Sequence, residues 1–315
     1  MDDSRSFVGI DEEFAGFDYA GILLQSIPYD GTSTWGKGAD SGFEVFLEAA
    51  RNMEIYDIET DSEVFRQGIH ILPEICEDTS PEAVYHAVLQ KTRELLSLGK
   101  FLTFFGGEHS ISIGIIEAFR KEYPELTVLQ LDAHADLRPE YLGSPYNHAC
   151  ALHAASLTTN LVQVGIRSMD ISEKQYLNPR QCFFAHEIHG DSSWMESSIE
   201  LMGDLVYLTI DLDVLDPSIM PSTGTPEPGG MQWYETLEFL HRVFTEKNVV
   251  GFDLVELCPK GNYKPSAFTA AKLYYKMLSY KFESEQGEFE FDNQEISQVK
   301  MKKHDTDQEY EDGEF

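Results

Sequence analysis

The stretch Thr127-Val128-Leu129-Gln130-Leu131-Asp132-Ala133-His134-Ala135-Asp136 joins two patterns without a break. Thr127 to Leu131 reads as a buried strand. Immediately after it, Asp132, His134 and Asp136 alternate with alanines, and in an extended segment side chains at i, i+2 and i+4 share one face, so the three converge beyond the strand's end. The same sentence is written twice more. Phe101 to Phe105 runs into Gly106-Gly107-Glu108-His109-Ser110, and Leu205 to Ile210 runs into Asp211-Leu212-Asp213. Polar clusters that all fall where strands stop are the mark of an open parallel α/β sheet, which binds ligands outside the carboxyl ends of its strands.

Working outward, strand-like and helix-like segments alternate through most of the chain. Ala20 to Ser26 reads as a first strand followed by a glycine-rich loop, Pro28 to Gly42. Ser80 as a cap and Pro81 in the first turn open a helix that keeps apolar spacing at Val84, Val88 and Leu95 until Gly99 stops it. Further strands are expected near Leu161 to Gly165, Gln181 to Phe184 and Val249 to Asp253, and helices at Ile111 to Tyr123, Trp233 to Glu246 and Pro265 to Phe282. Such alternation implies βαβ units and a mainly parallel sheet covered on both faces.

With 315 residues and 42% hydrophobic content the chain can build a substantial core. No linker divides residues 1–282, which read as one domain. Residues 283–315 carry twelve acidic groups against three lysines and few apolar ones, so they read as a flexible acidic extension, with Phe289, Phe291 and Ile296 as the alternative anchors to a neighbouring surface. A net charge of -32 argues against nucleic acid and anionic membranes as partners and favours a cationic small molecule. Four scattered cysteines without a CxxC pair, an N-terminus unlike a signal peptide and the lack of a long apolar run all suit a cytoplasmic protein.

The donor set carries the chemistry. His109, Asp132, His134, Asp136, Asp211 and Asp213 combine two imidazoles with four carboxylates, more than one divalent ion needs. A lone aspartate at a strand end usually caps a helix or a turn, but a whole group of buried carboxylates is costly unless cations offset it. The expectation is therefore a two-metal hydrolytic site, in which paired ions lower the pKa of a shared water.

With these clusters in hand, the chain resembles the ureohydrolase superfamily, the arginases and agmatinases, and within it the agmatinases most. The resemblance runs from about Gly21 to Phe282 and rests on GGEHS, DAHAD, TIDLDVLDP (Thr209 to Pro217), TGTPEPGG (Thr223 to Gly230) and GFDLVELCP (Gly251 to Pro259), all in family order. It implies a three-layer α/β/α sandwich with a mainly parallel sheet of about eight strands, assembled as a homotrimer or homohexamer. It also implies two manganese ions, with nickel or zinc as other occupants. One would be held by His109, Asp132, Asp136 and Asp211, the other by Asp132, His134, Asp211 and Asp213.

The resemblance assigns further roles. Glu256 would accept the planar N–H fork of a guanidinium, a geometry that suits a carboxylate. His148 would relay a proton to the leaving amine, with Asp136 as the other candidate, and an imidazole titrating near neutrality suits that task. Thr225, Asn147, Glu227 and Trp35 are candidate substrate contacts, and Asp253 a support for the metals or their histidines. The implied reaction cleaves agmatine to putrescine and urea, a step of polyamine biosynthesis. Aminopropylagmatine, a carboxylated relative of it, guanidinobutyrate and arginine are the alternatives.

The chain departs from the agmatinase pattern where Phe43 replaces a usual proline and Trp35 puts a large aromatic in the loop expected at the site mouth, which leaves the substrate's tail open. A binuclear phosphoesterase also uses Asp/His clusters, but it needs a phosphate cradle that this sequence does not offer. A silent binding protein would be expected to have lost ligands, and none is missing.

Overall fold

The computed structural model of the chain describes residues 6–283, so the acidic extension lies outside the described residues except for Glu283. Among them runs one sheet of eight strands: β1 (Ile22–Ile27), β2 (Ile69–Ile71), β3 (Phe101–Gly106), β4 (Thr127–Leu131), β5 (Asn160–Ile166), β6 (Cys182–Phe184), β7 (Leu205–Asp211) and β8 (Asn248–Val255). Their spatial order is β2-β1-β3-β8-β7-β4-β5-β6, and every neighbouring pair is parallel.

Parallel strands need crossovers, and helices supply them on both faces. Two apolar clusters, one on each side of the sheet, record this. One is built under the helices Gly42–Ala50, Ser193–Glu200, Trp233–Glu246 and Pro265–Lys281. The other lies under the helices Pro81–Leu96, Ile111–Glu122 and His153–Thr158. The result is the expected three-layer α/β/α sandwich, in which β4 is buried along its whole length and β7 from Val206 onward.

Local chemistry sets the helix ends. Ser80 Oγ accepts from Ala83 N at 3.1 Å, Pro81 occupies the first turn, and Gly99 ends the connection at φ +66. The helix Trp233–Glu246 opens with a reciprocal contact between Gln232 and Glu235. Its inward face, with Phe239, Leu240 and Val243, is fully buried; each such side chain stabilises the fold by about 1.5–3 kcal/mol.

Register brings the ends of the four central strands level. Phe105 pairs with Leu254, Leu254 with Ile210, and Ile210 with Leu131. One residue further on, the same rung presents Gly106, Val255, Asp211 and Asp132 side by side. Everything polar that follows β3, β8, β7 and β4 therefore opens into one crevice.

Candidate metal centre and active site

His109 leaves β3 and enters the crevice almost without solvent exposure. Its Nδ1 lies 3.1 Å from Asp132 Oδ2, 3.1 Å from Asp136 Oδ2 and 3.6 Å from Asp211 Oδ2. His134 forms a second group, with Nδ1 2.9 Å from Asp213 Oδ2 and 3.6 Å from Asp132 Oδ1. Potential ligand atoms of His109, Asp132 and Asp211 lie within 4.8 Å of one another, as do those of Asp132, His134 and Asp213. Asp132 belongs to both groups, so two sites would share it.

Strand alternation is not what brings these side chains together. β4 ends at Leu131, and Asp132 to Asp136 is irregular chain, bent at Ala133 and bridged by His134 to Ser168, in which Asp136 takes a left-handed φ of +52. Asp213 sits in a 3-10 turn, Leu212–Val214, that begins where β7 ends. In both places the chain bends after the strand, and side-chain acceptors hold the bend: Asp132 Oδ1 takes His134 N at 2.6 Å, Asp211 Oδ1 takes Asp213 N at 2.8 Å, and Asp213 Oδ1 takes Ala133 N at 3.0 Å. A non-glycine residue at positive φ is uncommon and gathers at functional sites. Glu256, at φ +66 just beyond β8, is another.

The electrostatics demand a cation. Burial, followed by the neighbouring Asp213 and Asp132, pushes Asp211 well above the ordinary carboxylate range. Burial and Asp132 raise Asp136 to about 7. Burial opposes charging of His134, yet Asp213 and Asp132 outweigh it and lift the imidazole to about 12. Protons thus take the place of counter-charge wherever carboxylates share a dry space. The orphaned atom is His109 Nδ1, which is buried, has no hydrogen-bond partner and faces three carboxylates. The other nitrogen, Nε2, meets Thr209 Oγ1 at 3.0 Å. Thr209 in turn donates to Asp253 Oδ1 at 2.7 Å, and Tyr207 and Ser112 donate to the same carboxylate. Since the Thr209 proton is engaged on Asp253, His109 carries a hydrogen on Nε2, which leaves Nδ1 as the nitrogen that faces the cluster and would be given to an ion. Imidazole lone pairs and carboxylate oxygens in this number fit a pair of divalent ions.

A cleft of about 280 Å³ leads to this centre, lined by His109, His134, Asp136, Asp211, His148, Thr225 and Glu256, with Thr34, Arg138, Tyr141, Asp170 and Glu173 among the outer residues. Glu256 is 8% exposed, and among the described residues one donor reaches it, His109 N at 3.0 Å to Oε1. Burial, then the charge of Glu108, pushes it well above its usual range. Gly224 leaves room beside it, since a Cβ there would stand 3.2 Å from Glu256 Oε2. A cationic, planar donor group is what this carboxylate lacks.

The remaining candidates divide. His148 and Thr225 line the cleft. Glu227 stands at its rim, Oε1 3.9 Å from His134 Nε2. Asn147 is buried and caps the turn His148–Cys150 by accepting from Ala149 N at 3.1 Å, so its side chain does not line the cleft. Trp35 is 82% exposed, and it is Thr34 that lines the cleft instead. Thr32, Glu108, Thr209 and Gly224 are parts of the site to which the sequence reading gave no role, although Glu108, Thr209 and Gly224 lie inside GGEHS, TIDLDVLDP and TGTPEPGG.

The sequence model of the Arginase family matches residues 20–279. The chain belongs to the arginase family. A protein of Thermus thermophilus named N(1)-aminopropylagmatine ureohydrolase is 37% identical over 275 residues, covering 86% of this chain and 93% of that protein. A Synechocystis protein of the same name is 34% identical over 285 residues, covering 87% and 93%. Among solved structures, the agmatine ureohydrolase of Thermoplasma volcanium superposes with a TM-score of 0.78 at 26% identity, covering 91% of this chain and 96% of that one. This chain is accordingly a hydrolase of guanidino compounds with the arginase-family fold. Among its described residues no helix is long and apolar enough to cross a membrane.

Proposed function

We propose that this family member hydrolyses the guanidinium group of an aminopropylated agmatine, releasing urea and the corresponding triamine, with agmatine as the second reading. The observation that carries the guanidinium chemistry is Glu256, a buried carboxylate with a single backbone donor, at the floor of a cleft that also holds His109, Asp136 and Asp211. The aminopropyl tail is supported by the names of the Thermus and Synechocystis relatives. Agmatine is supported by the name of the Thermoplasma structure and by the TGTPEPGG loop.

His109, Asp132, Asp136 and Asp211 would hold one ion and Asp132, His134, Asp211 and Asp213 the other, and we read both as manganese because the donors are mainly oxygen. When bound, the ions supply a water acidic enough to be nucleophilic near neutral pH and the positive charge that stabilises the tetrahedral stage. The protein's own groups do the rest. Glu256 receives two N–H groups of the guanidinium and holds its carbon over the carboxylate cluster. His148 is kept neutral, since burial and then its neighbours His134 and His109 push it down to about 4. A neutral imidazole accepts a proton and passes it to the departing nitrogen, so guanidinium plus water becomes urea plus alkylammonium with charge conserved. Thr225 and Glu227 would border the guanidinium, and Trp35 the distal end of the tail.

Four unpaired cysteines, three of them buried, support a cytoplasmic setting, and we expect a trimer or hexamer, which sedimentation would test. Urea release by manganese-loaded protein on aminopropylagmatine, agmatine, arginine and guanidinobutyrate decides the substrate. A higher kcat/KM on aminopropylagmatine is expected. Preference for agmatine would select the second reading, and silence on all four would remove the proposal.

A further inference from the structure

The loop after β1 lies directly across the loop after β3. Gly107 N donates to Ile27 O at 2.9 Å and Glu108 N to Tyr29 O at 2.8 Å. The approach is so close that a Cβ on Gly107 would stand 1.8 Å from Tyr29 O, which leaves glycine as the residue that fits. This crossing sets Thr32 onto Glu108, and neither belongs to the ligand clusters.

Glu108 is fully buried and receives four donors. Thr32 Oγ1 and N reach Oε1 at 2.8 and 3.3 Å, Ser110 Oγ reaches Oε1 at 2.9 Å, and Ser110 N reaches Oε2 at 2.8 Å. Backbone N–H groups cannot accept, so the carboxylate acts here as an acceptor and takes the single proton of the Thr32 hydroxyl. Only the lone pairs of Oγ1 remain. His148 meets both of them, through its backbone N at 2.9 Å and its ring Nδ1 at 3.2 Å. A ring nitrogen facing a lone pair must carry the hydrogen, and the opposite nitrogen must then be bare.

We propose that Thr32 and Glu108 are positioning residues that hold His148 in one tautomer, with Nδ1–H given to Thr32 and the Nε2 lone pair turned to the cleft. Glu108 orients the hydroxyl, the hydroxyl orients the ring, and the ring offers its free nitrogen where a proton has to be collected. Without the hydroxyl the imidazole loses its fixed orientation as well as its fixed tautomer, and a ring that is turned away or carries Nε2–H cannot accept. For its kinetic consequence the proposal rests on the ureohydrolase reading; the tautomer itself does not.

The test combines spectroscopy with kinetics. In 15N-histidine-labelled protein loaded with zinc, which is diamagnetic, the His148 signals are assigned by their loss in His148→Asn. The expected spectrum has Nδ1 protonated and Nε2 unprotonated at neutral pH. Thr32→Val should mix the two tautomers and lower kcat roughly 10²-fold with KM nearly unchanged, while Thr32→Ser, which keeps the hydroxyl, recovers both spectrum and turnover. A wild-type spectrum with Nε2 protonated or both nitrogens averaged would overturn the proposal, as would Thr32→Val with spectrum and kcat unaltered. If Thr32→Val fails to fold, the wild-type spectrum alone still decides. Absence of urea from every substrate alongside the expected spectrum would remove the functional reading and leave the positioning role standing.

Discussion

His109 Nε2 meets Thr209 Oγ1 at 3.0 Å, and this contact decides which nitrogen of the ring looks into the carboxylate cluster. Partners of this kind fix the tautomer of a ligating histidine and commonly contribute 10- to 100-fold to metal affinity. We predict that Thr209→Val, which is close in size but cannot accept a hydrogen bond, weakens the binding of the ion at His109 by about that factor. Titration of metal-depleted protein with manganese, followed calorimetrically, would show it. Unchanged affinity would mean that Thr209 and Asp253 support only the sheet.

Much of this arrangement is legible in the sequence on physical grounds. Trp233–Glu246 carries apolar residues at helical spacing behind a cap, and Thr127–Leu131 is a short strand-forming run with Val128, Leu129 and Leu131 ended by a charge, so both elements emerge at their expected bounds. β2 escaped because Ile69–Ile71 is three residues long and pairs along one edge only. The helix Gly42–Ala50 escaped because it starts on a glycine directly after a glycine-rich loop, with no capping side chain. Within the site, residue type revealed the ligands, but the bends at Asp136 and Asp213 that make them meet depend on contacts between strands. The link from Glu108 to His148 joins segments far apart in the chain through Thr32, and no local pattern encodes it.

Glu256→Gln keeps the shape of the side chain and removes the charge. Its partner in the described residues, His109 N, can still be accepted by the amide oxygen, so the fold around β8 should survive. A charge-assisted hydrogen bond contributes about 1.5–3 kcal/mol, which converts to a loss of roughly 10- to 100-fold in kcat/KM for guanidino substrates. Manganese content by elemental analysis should stay at the wild-type value. Full activity in this variant would show that the guanidinium is held elsewhere.

Metal removal should be felt in stability as well as in turnover. Asp132, Asp136, Asp211 and Asp213 are all buried, and in the metal-free protein their mutual repulsion is left to protons and to two histidines. Because an unfolded chain does not preserve the cluster, ligand linkage predicts a gain of about 2.7 kcal/mol when free manganese stands at 100 times its Kd. Thermal unfolding of chelator-treated protein, repeated with manganese added back, should therefore shift upward by several degrees. A midpoint indifferent to manganese would contradict the metal reading of the cluster.

Far from the cleft, Lys276 on the helix Pro265–Lys281 meets Asp57 Oδ1 at 2.9 Å, both side chains nearly inaccessible, and also contacts Glu59. Burial by itself pushes Asp57 up, but the hydrogen bond and charge of Lys276, with the backbone donors of Thr60 and Glu59, more than offset it and hold the carboxyl below its usual value. A carboxyl depressed in the folded state contributes stability that is present above its unfolded pKa of about 3.9 and is lost as pH falls through the folded value. Lys276→Met reverses the sign. It strands a buried carboxylate, which should cost roughly 3–5 kcal/mol at pH 7, and the stranded group now titrates above its unfolded value. The penalty should therefore shrink between pH 7 and pH 5 as Asp57 takes a proton, and the double variant Asp57→Asn with Lys276→Met should recover most of the loss at pH 7. Denaturant unfolding of the three proteins at both pH values measures this, and a penalty that stays constant with pH would show that Lys276 contributes through its packing against Tyr280 and not through its charge.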